Sequence, residues 1–355
     1  MENSCGKYLK LTVTGSSHGD FVGGVLENCP QGVFIDRDLL SRELERRKPH
    51  AFGTPRKEDD EVIWLKGVEN NETNGEKIVF EVKNKNIRPA DYDKFRNEFR
   101  PSHADYVYYV KYGEDSLRHK DNASARMFLP VVVAGFIAKQ ILAKENISVS
   151  SDIVSLNGHE VKKSSDIEKL VLNISEIVLN TDKIMLNTNF ANSDKNFVDT
   201  FGGKIRCEIK GVKAGLGEPI FEKLSSNLAK AVMNIPSAVS FSIGEEENRD
   251  ALLGSEDIDE WNDDFTTVTN HCGGINAGIS NGMPIVFYAG FHAVHTLSAP
   301  MTLISKDGKK ITKQIGGRHD KAAILRTPVI VEAVSALVIA DFLLQKTINK
   351  NENSL

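Results

Sequence analysis

Apolar and polar residues nearly alternate from Leu9 to Thr14, the period of a strand with one buried face, and glycines follow at positions 15, 19, 23 and 24. The spacing predicts a strand running into a tight turn. Asp36-Arg37-Asp38 precedes Leu39, Leu40 and Leu44, which predicts a capped amphipathic helix ending in Arg46-Arg47-Lys48, where Pro49 stops it. Alternation returns at Val62-Ile63-Trp64-Leu65 and Ile78-Val79-Phe80-Glu81-Val82, on either side of a polar stretch, as in an antiparallel hairpin or meander. Between Ala123 and Glu145 apolar residues occupy most of the helical circumference, so a helix buried on several sides is expected, with Pro130 in its first turn.

Residues from about 145 to 200 are rich in Lys, Asn, Ser and Asp and read as a peripheral polar excursion. Strands are expected at Ile205–Ile209 and Val239–Ile243, an apolar run spans Pro284–Ala289, and helices are expected at Leu224–Met233 and Val329–Leu344. A polar tail, 346–355, follows the last helix. Strands and helices alternate without a fixed period, which excludes a solenoid and a regular βαβ series. A single domain over residues 1–345 is the expected organisation.

At 355 residues with 40% hydrophobic and 26% charged positions, the chain has the composition of an ordinary globular protein. Its formal charge of -5 offers no general attraction to nucleic acid or acidic membranes, so any phosphate binding must be local. Cys5, Cys29, Cys207 and Cys272 show no C-x-x-C spacing, which argues against a disulfide framework or a zinc ribbon. The N-terminus lacks the apolar run of a signal peptide, and no uninterrupted apolar stretch is long enough to span a bilayer. A cytoplasmic protein without membrane or nucleic-acid partners is expected.

Four constellations carry candidate chemistry. Gly15-Ser16-Ser17-His18-Gly19 formally fits the G-x-S-x-G elbow of serine hydrolases, but equally a turn in which Ser17 fixes the tautomer of His18 as a proton donor. Arg100-Pro101-Ser102-His103-Ala104-Asp105-Tyr106 places an imidazole between an arginine and an aromatic run that reads as a strand. Gly273 to Gly282 holds four glycines that let backbone approach something flat or anionic, matching neither the Walker nor the dinucleotide pattern. Gly316-Gly317-Arg318-His319-Asp320 offers an arginine for an anion and a carboxylate for proton transfer. His292 and His295 raise a metal site, which no carboxylate-rich or H-E-x-x-H spacing supports; none is expected.

Taken in order, these pieces resemble the chorismate synthase family. The resemblance is carried by the Gly15–Gly19 turn, Cys29-Pro30-Gln31-Gly32, Arg46-Arg47-Lys48-Pro49, Thr54 to Glu58 and Arg100 to Tyr106. It continues through Ser124-Ala125-Arg126, Gly215 to Pro219, Thr269-Asn270, Gly278 to Gly282 and Arg318-His319-Asp320. It implies an α+β fold, a helical core between antiparallel β-sheets, assembled as a homotetramer. It also implies an enzyme that makes chorismate from 5-enolpyruvylshikimate 3-phosphate, a small phosphorylated cyclic substrate, by 1,4-elimination of phosphate. Reduced FMN (FMNH2) is the implied cofactor, with no net redox change.

By the same resemblance, His18 paired with Ser17 would protonate the departing phosphate, His103 would protonate the reduced flavin, and Asp320 would help remove the ring proton. Arg47 and Arg126 would hold the substrate's anions, and Ser124, Gly278, Thr296 and Arg318 would line the flavin. The sequence also departs from the family pattern. Arg118 to Phe128 stands in place of a run with three more glycines and another arginine, and Val131 takes the place of an arginine. His292-Ala293-Val294-His295-Thr296 replaces a Lys-Pro-Thr-x-Ser stretch. These changes leave a second reading open, a noncatalytic relative that binds a flavin or ligand or partners another subunit.

Overall fold

The computed structural model describes residues 3–48, 60–85, 97–113, 120–167, 170–171, 199–245, 249–295, 297, 300–314, 320 and 322–352. The N-terminal third forms β1 (Ser4–Cys5), β2 (Lys10–Gly15), β3 (Phe21–Glu27), α1 (Arg37–Arg47) and β4 (Val62–Lys66). A small hairpin, β5 (Val68–Glu69) and β6 (Glu72–Thr73), precedes β7 (Ile78–Lys83). The larger strands form one antiparallel sheet in the order β1-β2-β3-β7-β4. Helix α1 begins where the Asp36 carboxylate accepts the Asp38 and Leu39 N–H groups at 2.9 and 3.0 Å. That cap satisfies orphan donors of the first turn, as the sequence predicts.

The middle of the chain carries β8 (Glu98–Phe99), α2 (Asp105–Tyr112), α3 (Leu129–Ala143), β9 (Ser148–Leu156), β10 (His159–Glu160) and β11 (Gly203–Lys210). There follow α4 (Leu224–Met233), β12 (Ala238–Ile243), the hairpin β13 (Ile275–Asn276) and β14 (Ile279–Ser280), and β15 (Ile285–Phe291). The second antiparallel sheet has the order β10-β9-β11-β15-β12. β16 (Pro300–Ser305) and β17 (Lys310–Gln314) extend β8 into a small third sheet, and α5 (Pro328–Glu352) ends the described chain.

Helices α3 and α5 lie between the two large sheets. α3 packs on β2 and β3, α5 packs on β9 and β11, and the helices pack on each other. Their crossing is tight: a Cβ on Gly135 would lie 2.4 Å from the Ala333 Cβ, so only glycine lets the backbones approach this closely. The segments Ala125–Ala143 and Pro328–Thr347 reach membrane-spanning length and apolarity by composition alone, yet most of each lies buried against protein, as in core helices.

Three elements differ from their sequence reading. The aromatic run after His103 is helix α2, because the helical period sets Tyr106 and Tyr109 side by side on Phe99, with ring centroids 5.5 and 5.4 Å from it. The excursion expected from about 145 opens instead with β9, an inner strand that anchors Ile153 and Leu156 in the core. Its alternation is hard to see because the outward positions are serines and an aspartate. Helix α5 continues through the expected tail to Glu352.

Candidate active site

The Gly15–Gly19 turn is held by Ser16, whose Oγ accepts from the His18 N–H at 2.6 Å and the Gly19 N–H at 3.4 Å. Ser17 is buried, and its Oγ lies 2.7 Å from His18 Nδ1. β3 starts at Phe21, so the turn joins two strands. It lacks the strand-to-helix geometry that exposes a nucleophilic serine, which removes the hydrolase reading.

Asn84, just beyond β7, donates to the carbonyls of Ser16 at 3.0 Å and Gly19 at 2.8 Å. The other end of its amide accepts from Arg126 Nε at 3.0 Å. Arg126 Nη1 in turn donates to Asp60 Oδ1 at 2.5 Å, and Arg47 Nη2 donates to Asp60 Oδ2 at 2.8 Å. All three of these charged side chains are buried. Arg326, in the turn before α5, lies within electrostatic range of Arg47 and donates to Asp320 Oδ2. The Ala322 N–H donates to Asp320 Oδ1 at 3.3 Å.

Three guanidinium groups therefore face two carboxylates. Burial pulls the Arg47 guanidinium below the usual arginine range; Asp60 opposes this, and the like charges of Arg126 and Arg326 add to it. Burial pushes the Asp60 carboxyl up, but the charges and hydrogen bonds of Arg47 and Arg126 outweigh it and hold Asp60 below the ordinary carboxylate range. Both shifts express the same excess of positive charge in a dry environment. That is the electrostatic requirement for holding an anion.

Arg47, Arg126 and the turn of Ser17 and His18, remote from one another in the chain, are thus joined through one polar network, and the Asp320–Arg326 pair lies within electrostatic range of it. Ser124 touches it as well, since its Oγ accepts from the Arg126 N–H at 3.3 Å and caps the turn that carries that arginine. Asp60, Asn84 and Arg326 escaped sequence reasoning. Asp60 lies within an acidic run, Glu58-Asp59-Asp60-Glu61, of the kind that ordinarily marks a solvated surface, and no local pattern distinguishes it.

His103 belongs to a different cluster. With its proton on Nδ1 it donates to Pro101 O at 3.0 Å, and His295 Nδ1 donates to Ser102 O at 3.0 Å. Their ring centroids are 6.4 Å apart, and His292 stacks on His295 at 4.2 Å. Burial and the Arg100 charge lower the His103 pKa. Among the described residues no group of three His, Cys, Asp or Glu side chains is placed to hold a metal ion.

Gly278 has φ +90°, and a Cβ there would lie 2.5 Å from Lys223 Cγ and 2.7 Å from Glu218 O. The close approach it permits is to its own chain, sealed by the Leu224 N–H donating to Gly278 O at 2.8 Å. Thr296 and Arg318 lie outside the described residues.

A model of the family described as chorismate synthase matches residues 9–344. The chain is 39% identical over 356 residues to the chorismate synthase of Christiangramia forsetii, covering 98% of this chain and 99% of that one. It is 38% identical over 353 residues to the chorismate synthase of Flavobacterium psychrophilum, again covering 98% and 99%. A crystal structure of chorismate synthase superposes with a TM-score of 0.71 at 22% identity, covering 96% of this chain and 93% of that one, which shows the shared fold. The chain belongs to the chorismate synthase family.

Proposed function

We propose that this enzyme converts 5-enolpyruvylshikimate 3-phosphate into chorismate by eliminating phosphate, at a site built on the Asp60 network and served by reduced FMN. The observation that carries the reading is the hydrogen-bonded chain from Arg47 through Asp60, Arg126 and Asn84 to the turn of His18, with the Arg326–Asp320 pair within electrostatic range of Arg47. It joins anion-binding groups to a proton donor and a proton acceptor, which the reaction requires together.

Arg47 and Arg126 bind the substrate's anionic groups, backed by the charge of Arg326. Ser17 fixes the His18 ring through Nδ1, so Nε2 carries the proton that the departing phosphate takes. Asp320 is oriented by Arg326 and the Ala322 N–H and ends the reaction with the proton lost from the ring. One proton and one phosphate leave the substrate, and no net oxidation occurs.

The donor set suits a phosphorylated flavin. Ser124 offers a hydroxyl beside the arginine network, and His103, whose Nδ1–H is tied to Pro101 O, would exchange its proton with the cofactor through Nε2. The resemblance alone would add Gly278, Thr296 and Arg318 to the residues that hold the flavin. Bound reduced FMN supplies transient electron density to the unactivated ring.

We extend the reading to a cytoplasmic homotetramer. Exposed apolar residues on the loop 249–271, among them Leu253, Trp261 and Phe265, together with Phe221, are consistent with burial between subunits. Sedimentation velocity tests the assembly, and a monomer in solution contradicts it. The activity is tested by mixing the protein anaerobically with reduced FMN and 5-enolpyruvylshikimate 3-phosphate and following chorismate. Flavin binding without turnover indicates an altered substrate, and loss of both indicates a noncatalytic relative.

A further inference from the structure

A second charge cluster lies beside the arginine network without belonging to it. Glu332 sits in the first turns of α5 and is 3% exposed. Its Oε1 accepts from Arg46 Nη2 at 2.7 Å and from the N–H and Oγ of Ser151, both at 3.1 Å. Its Oε2 accepts from Arg46 Nη1 at 2.8 Å and Lys139 Nζ at 2.6 Å. Glu43 closes the ring, with Arg46 Nη1 at 3.0 Å and Lys139 Nζ at 2.7 Å. Two positive and two negative side chains make the cluster neutral.

Each helix in this cluster also positions an arginine of the anion site. α1 supplies Arg46 to the cluster and Arg47, the next residue, to Asp60. α3 supplies Lys139 and follows the turn that carries Arg126. α5 supplies Glu332 and follows Arg326, while Ser151 Oγ, whose single hydrogen can go to Glu332 Oε1 or to Pro328 O at 3.0 Å, sits against the start of that helix. Adjacent helical residues point about 100° apart, so clamping Arg46 sets the direction in which Arg47 leaves the helix.

Holding the helices together does not require four charges. Gly135 against Ala333 and the surrounding apolar side chains already pack α3 on α5, and a buried ionic cluster is a costly substitute for apolar packing. What the charges add is fixed geometry: a bidentate guanidinium allows one orientation where apolar contacts allow many. We propose that Glu332 is a positioning residue for the substrate-anion site, acting through Arg46 on Arg47 and through the start of α5 on Arg326. This rests on the assignment of Arg47 and Arg126 to substrate binding.

The test uses Glu332→Gln in the full chain, with steady-state kinetics, flavin affinity and thermal melting measured together. The expected result is a KM for the phosphorylated substrate raised about tenfold or more, with flavin affinity within about twofold of wild type, as follows when a binding group is displaced. Leu228→Ala, a core change on α4, serves as control and should lower the melting temperature without moving KM. A Glu332→Gln enzyme that is less stable but keeps wild-type KM and kcat overturns the proposal. If that variant fails to fold, Arg46→Gln, at a half-exposed side chain, should show the same rise in KM, and an unchanged KM there is equally fatal. Should the wild-type chain make no chorismate, inorganic phosphate titrated by calorimetry separates the two claims. Phosphate binding weakened about tenfold by Glu332→Gln supports the positioning role, and identical binding in both proteins removes it.

Discussion

Asn84 accepts a hydrogen bond from Arg126 Nε at 3.0 Å while its amide donates to Ser16 and Gly19, so the arginine and the His18 turn cannot move independently. Asn84→Ala breaks that coupling while leaving Arg126 and His18 themselves in place. It is expected to cost roughly 1–3 kcal/mol of stability from the lost hydrogen bonds. A displaced turn should lower kcat/KM by roughly ten- to hundredfold, which initial rates and urea unfolding will separate.

Asp60→Asn leaves two buried guanidinium groups without their shared counter-charge. Breaking a buried pair of this kind costs about 3–5 kcal/mol, so the urea midpoint should fall sharply. Because Asp60 is held below the ordinary carboxylate range in the folded chain, its stabilising contribution is present above its unfolded value near ~4. The wild type should lose that contribution as the pH falls below ~4 and through the lower folded value, and the Asn variant should lack this part of the acid dependence.

The shift at His103 runs the other way in charge. Burial and Arg100 favour its neutral ring, so the unfolded chain takes up a proton more readily than the folded one. Stability from this residue is therefore present above its unfolded value near ~6.5 and declines as the pH falls below it. The His103 Cε1 proton followed by NMR should titrate below ~6.5, and a midpoint above it contradicts the structure.

His18→Ala should reduce turnover by roughly 10²–10⁴-fold, the usual contribution of a positioned general acid. Ser17→Ala keeps the imidazole but removes its Nδ1 partner at 2.7 Å. The expected outcome is a smaller loss of kcat, about tenfold, since the ring is no longer held in one tautomer.

Gly135→Ala tests the helical core. The added methyl meets the backbone and Cβ of Ala333, which cannot move aside as a flexible side chain would. A loss of about 1–3 kcal/mol is expected by thermal or urea unfolding, with the kinetics of the folded fraction little changed.

Much of the architecture follows from the chain read locally. Alternation marks β2, β7 and β11, Asp36 caps α1 where capping chemistry places it, and the all-round apolar character of α3 matches a helix covered by a sheet and by α5. The ordered motifs from Gly15 to Asp320 suffice to point to the family, because glycines, prolines and charged residues in fixed order leave a signature that does not need three dimensions. Helix α2 and strand β9 differ from the local reading because an aromatic run in one and outward serines in the other obscure the period.

The sequence by itself determined the layers, the family and the candidate proton-transfer residues. Only the tertiary structure decided which charges meet: that Asp60 is shared by Arg47 and Arg126, that Asn84 couples them to His18, that Arg326 holds Asp320, and that Glu332 gathers α1, α3, α5 and β9. The physical reason is range. Periodicity and capping act between residues a few positions apart, whereas buried ions pair through space after the helices have packed, and spacing along the chain carries no record of that meeting.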